Sequence, residues 1–290
     1  MRPEQPARVT RAARHLRAAH PAWEFRVPAP AAAITDATLL RAHTPAHLRR
    51  LTQPHDFDAD TPYFSDIGDH ARRATSAAIA ATEHALATRA PAFALMRPPG
   101  HHATADTAMG FCYLNHIAIA ALHAHHHLGA RRVAIWDFDA HHGNGTEAVL
   151  AAPTHAAGGA FFFASVHQAP CYPGTGLADL SPDIRNWPIP PHAPRTQHLT
   201  ALRASLDAVI AFAPDLILVS AGFDAYVGDP ITAMTLERDD FATLGTWLAE
   251  TSSCHGIPAA ALLEGGYSPD LPQLIDAFLS AWSTTDRGAP

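Results

Sequence analysis

The chain has 290 residues and a formal net charge of −7, which offers no basic face for nucleic acid and leaves a cationic substrate admissible. Hydrophobic residues make up 48% and charged residues 16%, as in a compact globular protein, and no apolar run approaches the roughly 18 residues of a membrane span. Cys112, Cys171 and Cys254 are too few and too dispersed for a disulfide frame or a zinc ribbon, and the Arg-rich start lacks the apolar centre of a signal peptide, so the expected location is cytoplasmic.

Taken in order, residues 7–20 carry small and apolar side chains at helical spacing. Residues 21–33 are a Pro/Ala connection, and short helices are expected around Asp36–Leu40 and Pro45–Leu48. Residues 52–66 form a polar loop of the kind that lines site mouths; its Asp58, Asp60 and Asp66 are candidate rim carboxylates, with plain solvation the more common role of such groups. Ser65 or Asp66 is placed to cap a long Ala-rich helix reaching about Ala90. The apolar run 92–96 reads as a strand that opens into Arg97-Pro98-Pro99-Gly100-His101-His102. A helix is expected from about Tyr113 to Leu128. Its His123, His125, His126 and His127 point to different sides of a helix, so they read as solvated and not as a metal site. With 21 histidines in the chain, a lone His carries little weight.

The apolar run 132–136 reads as a buried parallel strand. It leads into Asp137-Phe138-Asp139-Ala140-His141-His142-Gly143-Asn144-Gly145. On extended backbone Asp139 and His141 would face one side, which makes half of a transition-metal site. A helix near 146–152, a strand over 159–166, a Gly/Pro loop at 172–176, an edge strand at 186–189 and a helix over 196–212 follow. The cleanest buried strand, 215–221, ends at Gly222-Phe223-Asp224. After a helix over 237–255, the last strand, 258–263, ends at Glu264-Gly265-Gly266-Tyr267. A final helix runs to about Trp282. Strands alternating with helices predict a parallel sheet covered on both faces, in a single domain over 1–290.

In such a sheet all C-terminal strand ends lie on one edge. His101 and His102, Asp137, Asp139 and His141, Asp224, and Tyr267 can therefore converge. Asp139, His141 and Asp224 offer two carboxylates and an imidazole, leaving positions open for water and substrate. One of His101 and His102 can take a proton from water, and Tyr267 can donate to a developing oxyanion. The glycines before Tyr267 permit close backbone approach. These parts describe metal-assisted hydrolysis of an amide.

Five stretches carry a resemblance: Arg97-Pro98-Pro99-Gly100-His101-His102-Ala103, Gly110-Phe111-Cys112-Tyr113-Leu114-Asn115, Asp137 to Thr146, Ala221-Gly222-Phe223-Asp224 and Glu264-Gly265-Gly266-Tyr267. In order and type they resemble the histone deacetylase superfamily over about residues 35–285, and Asn144 and Glu264 are similar to its class II branch and bacterial relatives, including acetylpolyamine amidohydrolases. The resemblance implies an arginase-like α/β/α fold with a central, mostly parallel sheet of about eight strands. It implies Zn²⁺, or Fe²⁺ in some members, on Asp139, His141 and Asp224. It makes His102 the general base, His101 its electrostatic partner held by Asp137, and Tyr267 the oxyanion donor. Asn144 stands behind His102 where other branches place Asp, which implies a less basic His102. A structural K⁺ is implied among Asp137, Asp139 and His141, with Ser165 and the Val166 carbonyl. Gly110, Phe111 and Tyr172 would line the acyl channel.

The expected substrate is an acetylated lysine peptide or a small acetylated amine. Amide hydrolysis on acetylpolyamines or other small molecules is the nearest alternative; a non-enzymatic acyl-lysine binder and a ureohydrolase stand further off. A homodimer narrowing the channel mouth follows from family analogy. The composition, rich in Ala, Arg, Pro and His, suits a high-GC bacterial gene. Two departures accompany the resemblance. Residues 1–8 resemble the end of the loop that follows the family's first strand, so that strand is expected to be absent. Ile231 follows Gly228-Asp229-Pro230, where one polyamine-selective branch carries an acidic residue.

Overall fold

The computed structural model describes residues 2–156 and 158–283; the remaining positions of the predicted domain lie outside the described residues. In chain order the elements are α1 (Ala7–Ala19), α2 (Asp36–Leu39), α3 (Pro45–Arg50), α4 (Ile67–Thr88), β1 (Ala92–Ala94), α5 (His116–His127), β2 (Val133–Asp137), α6 (Asn144–Leu150), α7 (Pro153–Ala156), β3 (Phe161–Gln168), β4 (Ile184–Ile189), α8 (Arg195–Ala211), β5 (Leu216–Ala221), α9 (Arg238–His255), β6 (Ala259–Leu263) and α10 (Leu271–Ser283). The sheet order is β1-β6-β5-β2-β3-β4, and every pairing is parallel.

The central strands are apolar on both sides and divide their side chains between two cores. Ala134 and Trp136 of β2, with Ile217 and Val219 of β5, face a core that also contains Phe138, Phe223, Phe241 and Phe278. Val133, Ile135, Leu216 and Leu218 face the other core, under α4 and α5. This alternation is the period-2 consequence of the pleat. On α4, Ala71, Ala74, Ala78, Ala81 and Ala85 form a buried stripe at spacings of three and four. Small side chains there let α4 lie close on α5 and the sheet. α5 is buried from His116 to Leu122, which leaves its His-rich last turn at the protein surface.

Strand order reverses between β2 and β5: the chain runs outward through β3 and β4, then returns to the other flank of β2. A crevice at the C-terminal ends of the strands is expected at such a switch. Asp137 closes β2, and Asp224 follows three residues after β5.

Several expectations need adjustment. The sheet has six strands among the described residues, against the eight or so that family resemblance implied. Residues 2–6 form no strand and lead straight into α1, and β1 is the sheet's edge on that side. The six strands read from the apolar runs are all present. Asp139 and His141 are not on extended backbone: β2 ends at Asp137, and the chain bends so that the His141 N–H donates to Asp139 Oδ1 at 2.9 Å. Asp66 occupies the N-cap position of α4, yet its side chain makes no capping bond and faces His70 instead. The helix expected from Tyr113 begins at His116 because Asn115 caps it, accepting from the Ala118 N–H at 3.0 Å. Pro188 lies in β4, an edge strand, where its missing N–H is tolerated. No helix among the described residues is long and apolar enough to cross a membrane.

Several buried histidines are held neutral. Burial pushes His43 and His116 down to about 3 and His198 to about 4. His43 Nε2 accepts the Asn115 N–H at 2.9 Å, which needs a free lone pair, and neither nitrogen of His198 has a partner. An unfolded histidine titrates near about pH 6.5, so below that pH the unfolded chain binds more protons than the folded one. The stabilisation is therefore complete above about pH 6.5 and falls as the pH drops toward the folded values, by up to about 1.4 kcal/mol per unit for each histidine. His198→Leu is expected to lose less urea midpoint than the parent protein between about pH 7 and about pH 5. An equal change in the two proteins would contradict this account.

Candidate active site

The Asp137–Asn144 loop, the Arg97–Ala103 loop after β1, the loop after β5 and the loop after β6 meet over the switch between β2 and β5. Asp139, His141 and Asp224 are buried, and their ligand atoms all lie within 4.8 Å of one another. Backbone N–H groups anchor both carboxylates, and Asp139 Oδ1 also takes the His141 N–H. Asp139 Oδ2 accepts the Gly265 N–H at 2.7 Å, and Asp224 Oδ1 accepts the Ala140 N–H at 2.9 Å. Their second oxygens converge on His141 Nδ1, at 3.3 Å from Asp139 and 2.9 Å from Asp224. Two fully buried carboxylates so close together are costly without a cation between them. An O,O,N donor set of this kind fits a borderline divalent ion. Among the described residues this is the one group of three with ligand geometry; the α5 histidines do not form one.

The tandem histidines lie beside this triad with ring centroids 4.0 Å apart. His101 Nδ1 donates to Asp137 Oδ2 at 3.1 Å, and its Nε2 is 3.7 Å from Asp139 Oδ1. Burial pulls His101 down, but Asp139 and Asp137 outweigh it and hold the imidazole up to about 10. His102 Nδ1 donates to Asn144 Oδ1 at 2.8 Å, an orientation supported by the Asn144 amide facing the His102 carbonyl. This leaves His102 Nε2 with its lone pair free. Burial, followed by the charge of His101, pushes His102 well below the usual histidine range. The two rings are thus set apart, one charged and one neutral, by a carboxylate behind the first and an amide behind the second.

Tyr267 follows two glycines whose placement is demanding. A Cβ on Gly265 would stand 2.2 Å from Asp224 Oδ2 and 2.5 Å from Asp139 Oδ2, and Gly266 has φ +110. Burial raises the Tyr267 phenol well above its ordinary value, so it remains a proton donor. The loop is pinned by residues far off in sequence. Arg8 Nε donates to the Gly266 carbonyl at 2.7 Å and Arg8 Nη2 to the Glu264 carbonyl at 2.5 Å. Its guanidinium lies 4.6 Å from the Tyr267 ring centroid. Glu264 Oε2 accepts the Gly100 and His101 N–H groups at 2.6 and 3.2 Å, which ties the two loops together.

These groups border one cavity of about 280 Å³, lined by His101, His102, Asp139, His141 and Tyr267. Gly110, Phe111 and Tyr172, to which the family resemblance assigns an acyl channel, also line it. A Cβ on Gly110 would meet His102 Cδ2 at 2.6 Å and Tyr172 Cε1 at 2.9 Å. Phe111 holds φ +68, a costly conformation outside glycine, with its N–H donating to Thr61 Oγ1 at 3.1 Å. Its ring meets Tyr267 edge-on at 5.8 Å, and the Tyr172 ring meets His102 likewise at 5.2 Å. Of the three early-loop carboxylates, Asp60 reaches the cavity; Asp58 closes a turn through the Asp60 and Thr61 N–H groups. Ser165 and Val166 are buried on β3, and Ser165 pairs in register with Asp137. The Ser165 hydroxyl faces His167 Nδ1 at 2.9 Å.

Sequence reading missed Pro3, Cys171 and Ile231 as lining residues, and Arg8 and Asp229 as loop holders. Their only local signal was a charged side chain in an unremarkable helix and an Asp in a Gly-Asp-Pro turn. A larger hollow of about 470 Å³ around residues 30–36 lies elsewhere on the surface; its Arg72 is already bound to Asp36 and the Ile34 carbonyl.

Comparison with known proteins agrees with this geometry. The histone deacetylase domain pattern matches residues 2–282. An uncharacterised protein of Synechocystis is 39% identical, with 96% of this chain and 91% of that one covered. The histone deacetylase-like amidohydrolase of Pseudomonas aeruginosa is 35% identical over 81% of this chain and 64% of its own length. Among solved structures, the acetylpolyamine aminohydrolase of Burkholderia pseudomallei superposes with a TM-score of 0.83 at 26% identity, covering 98% of this chain and 92% of that one. The pattern spans nearly the whole of the chain, the loops that build the cavity included, and the chain belongs to the histone deacetylase family.

Proposed function

We propose that this hydrolytic deacetylase, read as a single catalytic domain, removes an acetyl group from an acylated amine, with acetyl-lysine as the first substrate class. The observation that carries the reading is the meeting of Asp139, His141, the two unlike histidines and Tyr267 on one cavity, with Asp224 buried behind it beside Asp139 and His141. Asp139, His141 and Asp224 would hold Zn²⁺ or Fe²⁺. A divalent ion bound there supplies Lewis acidity and lowers the pKa of a water in contact with it. His102 Nε2 takes the proton from the attacking water. The carbonyl carbon becomes tetrahedral, and the Tyr267 hydroxyl donates to its oxyanion. The His102 proton then passes to the departing amine nitrogen, assisted by the charge held on His101, and acetate leaves. Asp137, Asp139 and His141 with Ser165 and Val166 would hold K⁺; the Asp137–Ser165 register supports this.

Gly110, Phe111 and Tyr172 make a slot that suits a neutral alkyl chain between rings. Asp60 at the cavity offers an acceptor for an amide N–H or ammonium group outside the slot. A small acetylated amine is the second reading. It is favoured by the acetylpolyamine aminohydrolase of Burkholderia pseudomallei and by the acetylpolyamine amidohydrolase 1 of Pseudomonas aeruginosa, 34% identical over 74% of this chain and 62% of its own length. The test compares kcat/KM for an acetyl-lysine peptide and for N-acetylputrescine, each with and without a hydroxamate. The peptide is expected to be the better substrate, and Asp60→Asn should raise its KM by about tenfold through loss of one charge-assisted hydrogen bond. Preference for acetylputrescine would favour the second reading, and turnover of neither by metal-loaded protein would overturn both.

A further inference from the structure

Two adjacent glycines leave the backbone before Tyr267 without local restraint, so the position of its hydroxyl depends on bonds from elsewhere. Four groups hold the loop, one of them the Phe223 N–H, which donates to the Gly265 carbonyl at 3.2 Å. Arg8 takes the Glu264 and Gly266 carbonyls, and Asp139 takes the Gly265 N–H. The peptide that carries Tyr267 itself is held by Asp229, whose Oδ2 accepts the Tyr267 N–H at 2.7 Å.

Asp229 is 7% exposed, and its other oxygen is also used: Oδ1 accepts the Ile231 N–H at 3.1 Å. Ile231 and Tyr267 both line the cavity. The same short segment is fastened to the metal-ligand loop, because Thr232 Oγ1 donates to the carbonyl of Asp224. One buried carboxylate therefore spans the wall contributed by Ile231 and the peptide of Tyr267, on a segment fixed against Asp224. Among the described residues no cationic side chain pairs with Asp229; its contacts are two backbone N–H groups. Burying a carboxylate on such terms is costly. A turn alone would need only the Ile231 bond, whereas the bond to Tyr267 crosses 38 residues of sequence.

We propose that Asp229 is a positioning residue for the Tyr267 hydroxyl, setting the height of the oxyanion donor over the metal-ligand loop and fixing the Ile231 wall against it. The proposal rests on the reading of Tyr267 as donor. An oxyanion donor works only within a few tenths of an ångström of its station, and a misplacement of about 1 Å is enough to cost about 100-fold in rate. The carboxylate needs no contact with substrate to exert this effect.

The test is a double-mutant cycle on kcat and KM for whichever acetylated substrate the protein turns over. D229A is expected to lower kcat by about 10- to 100-fold while changing KM by less than about threefold. D229N, which keeps one acceptor oxygen, should fall between D229A and the parent. In a Y267F background the Asp229 substitution should cost less than about threefold, because the hydroxyl it positions is gone. A full, multiplicative loss in that background, or an unchanged kcat in D229A with Tyr267 present, would overturn the proposal. If D229A does not fold, the same cycle with D229N decides on the same criterion. Failure of the donor reading is distinguishable: a fully active Y267F protein sinks that reading and the role of Asp229 with it, whereas an impaired Y267F protein with multiplicative Asp229 effects sinks the role of Asp229 alone.

Discussion

His102→Ala is expected to lower kcat by about 10²- to 10⁴-fold, the range of general acid–base catalysis, with KM little changed. The reason is the free lone pair on Nε2. Asn144 takes the Nδ1 proton at 2.8 Å, and no other ring in the cavity is held neutral in this way. His101, raised to about 10 by Asp139 and Asp137 against the pull of burial, has no lone pair to offer. Because burial and His101 hold His102 low, the base stays unprotonated well into acid, and the acidic limb of the kcat/KM profile should lie at low pH. Asn144→Asp tests the sign. A carboxylate at the same position would favour the imidazolium, raise the pKa of His102 and move that limb to higher pH. Steady-state kinetics across pH on the three proteins measures both effects. An Asn144→Asp limb that moves downward, or a fully active His102→Ala protein, would contradict the assignment.

Gly265→Ala is expected to weaken metal binding by about 100-fold or more, a loss at the upper end of that seen when groups supporting metal ligands are changed. The added Cβ would sit 2.2 Å from Asp224 Oδ2 and 2.5 Å from Asp139 Oδ2, distances that no carbon–oxygen contact tolerates. The Gly265 N–H is also the donor that orients Asp139. One methyl group would thus displace two of the three side chains proposed to hold the metal, without altering any of the three. Gly68→Ala is the control: it lies in the first turn of α4 with nothing within 4 Å, and alanine there favours the helix. Zinc competition titration on both variants, with thermal melting to confirm folding, gives the comparison. Equal affinity in Gly265→Ala and the parent would show that Asp139 and Asp224 do not hold the metal together.

The sequence made the strands readable because apolar runs are local patterns, and it placed Asp139, His141 and Asp224 just beyond two of them. Runs such as Leu216–Ala221 are apolar on both pleat faces, as a covered parallel strand must be. Each site residue sits within a few positions of such a run, so the topology alone brings Asp139, Asp224 and Tyr267 together. The conformation of the Asp139–His141 pair was not readable, since a side chain bonding to its neighbour's N–H competes with extension at a strand end. Arg8 and Asp229 were invisible as site-builders for a different reason: Arg8 reaches a carbonyl 256 residues away, and nothing in an N-terminal helix marks that partner. The strand count implied by resemblance ran past what residues 2–6 form, whereas the count read from the apolar runs themselves did not.

The most direct test of the account is single-turnover acetate release by metal-stripped protein and by the same protein reloaded with Zn²⁺, on an acetyl-lysine peptide and on acetylputrescine. The account predicts release from at least one substrate only after reloading, and its suppression by a hydroxamate. Equal release by stripped and reloaded protein, or no release from either substrate with metal bound at Asp139, His141 and Asp224, would contradict it.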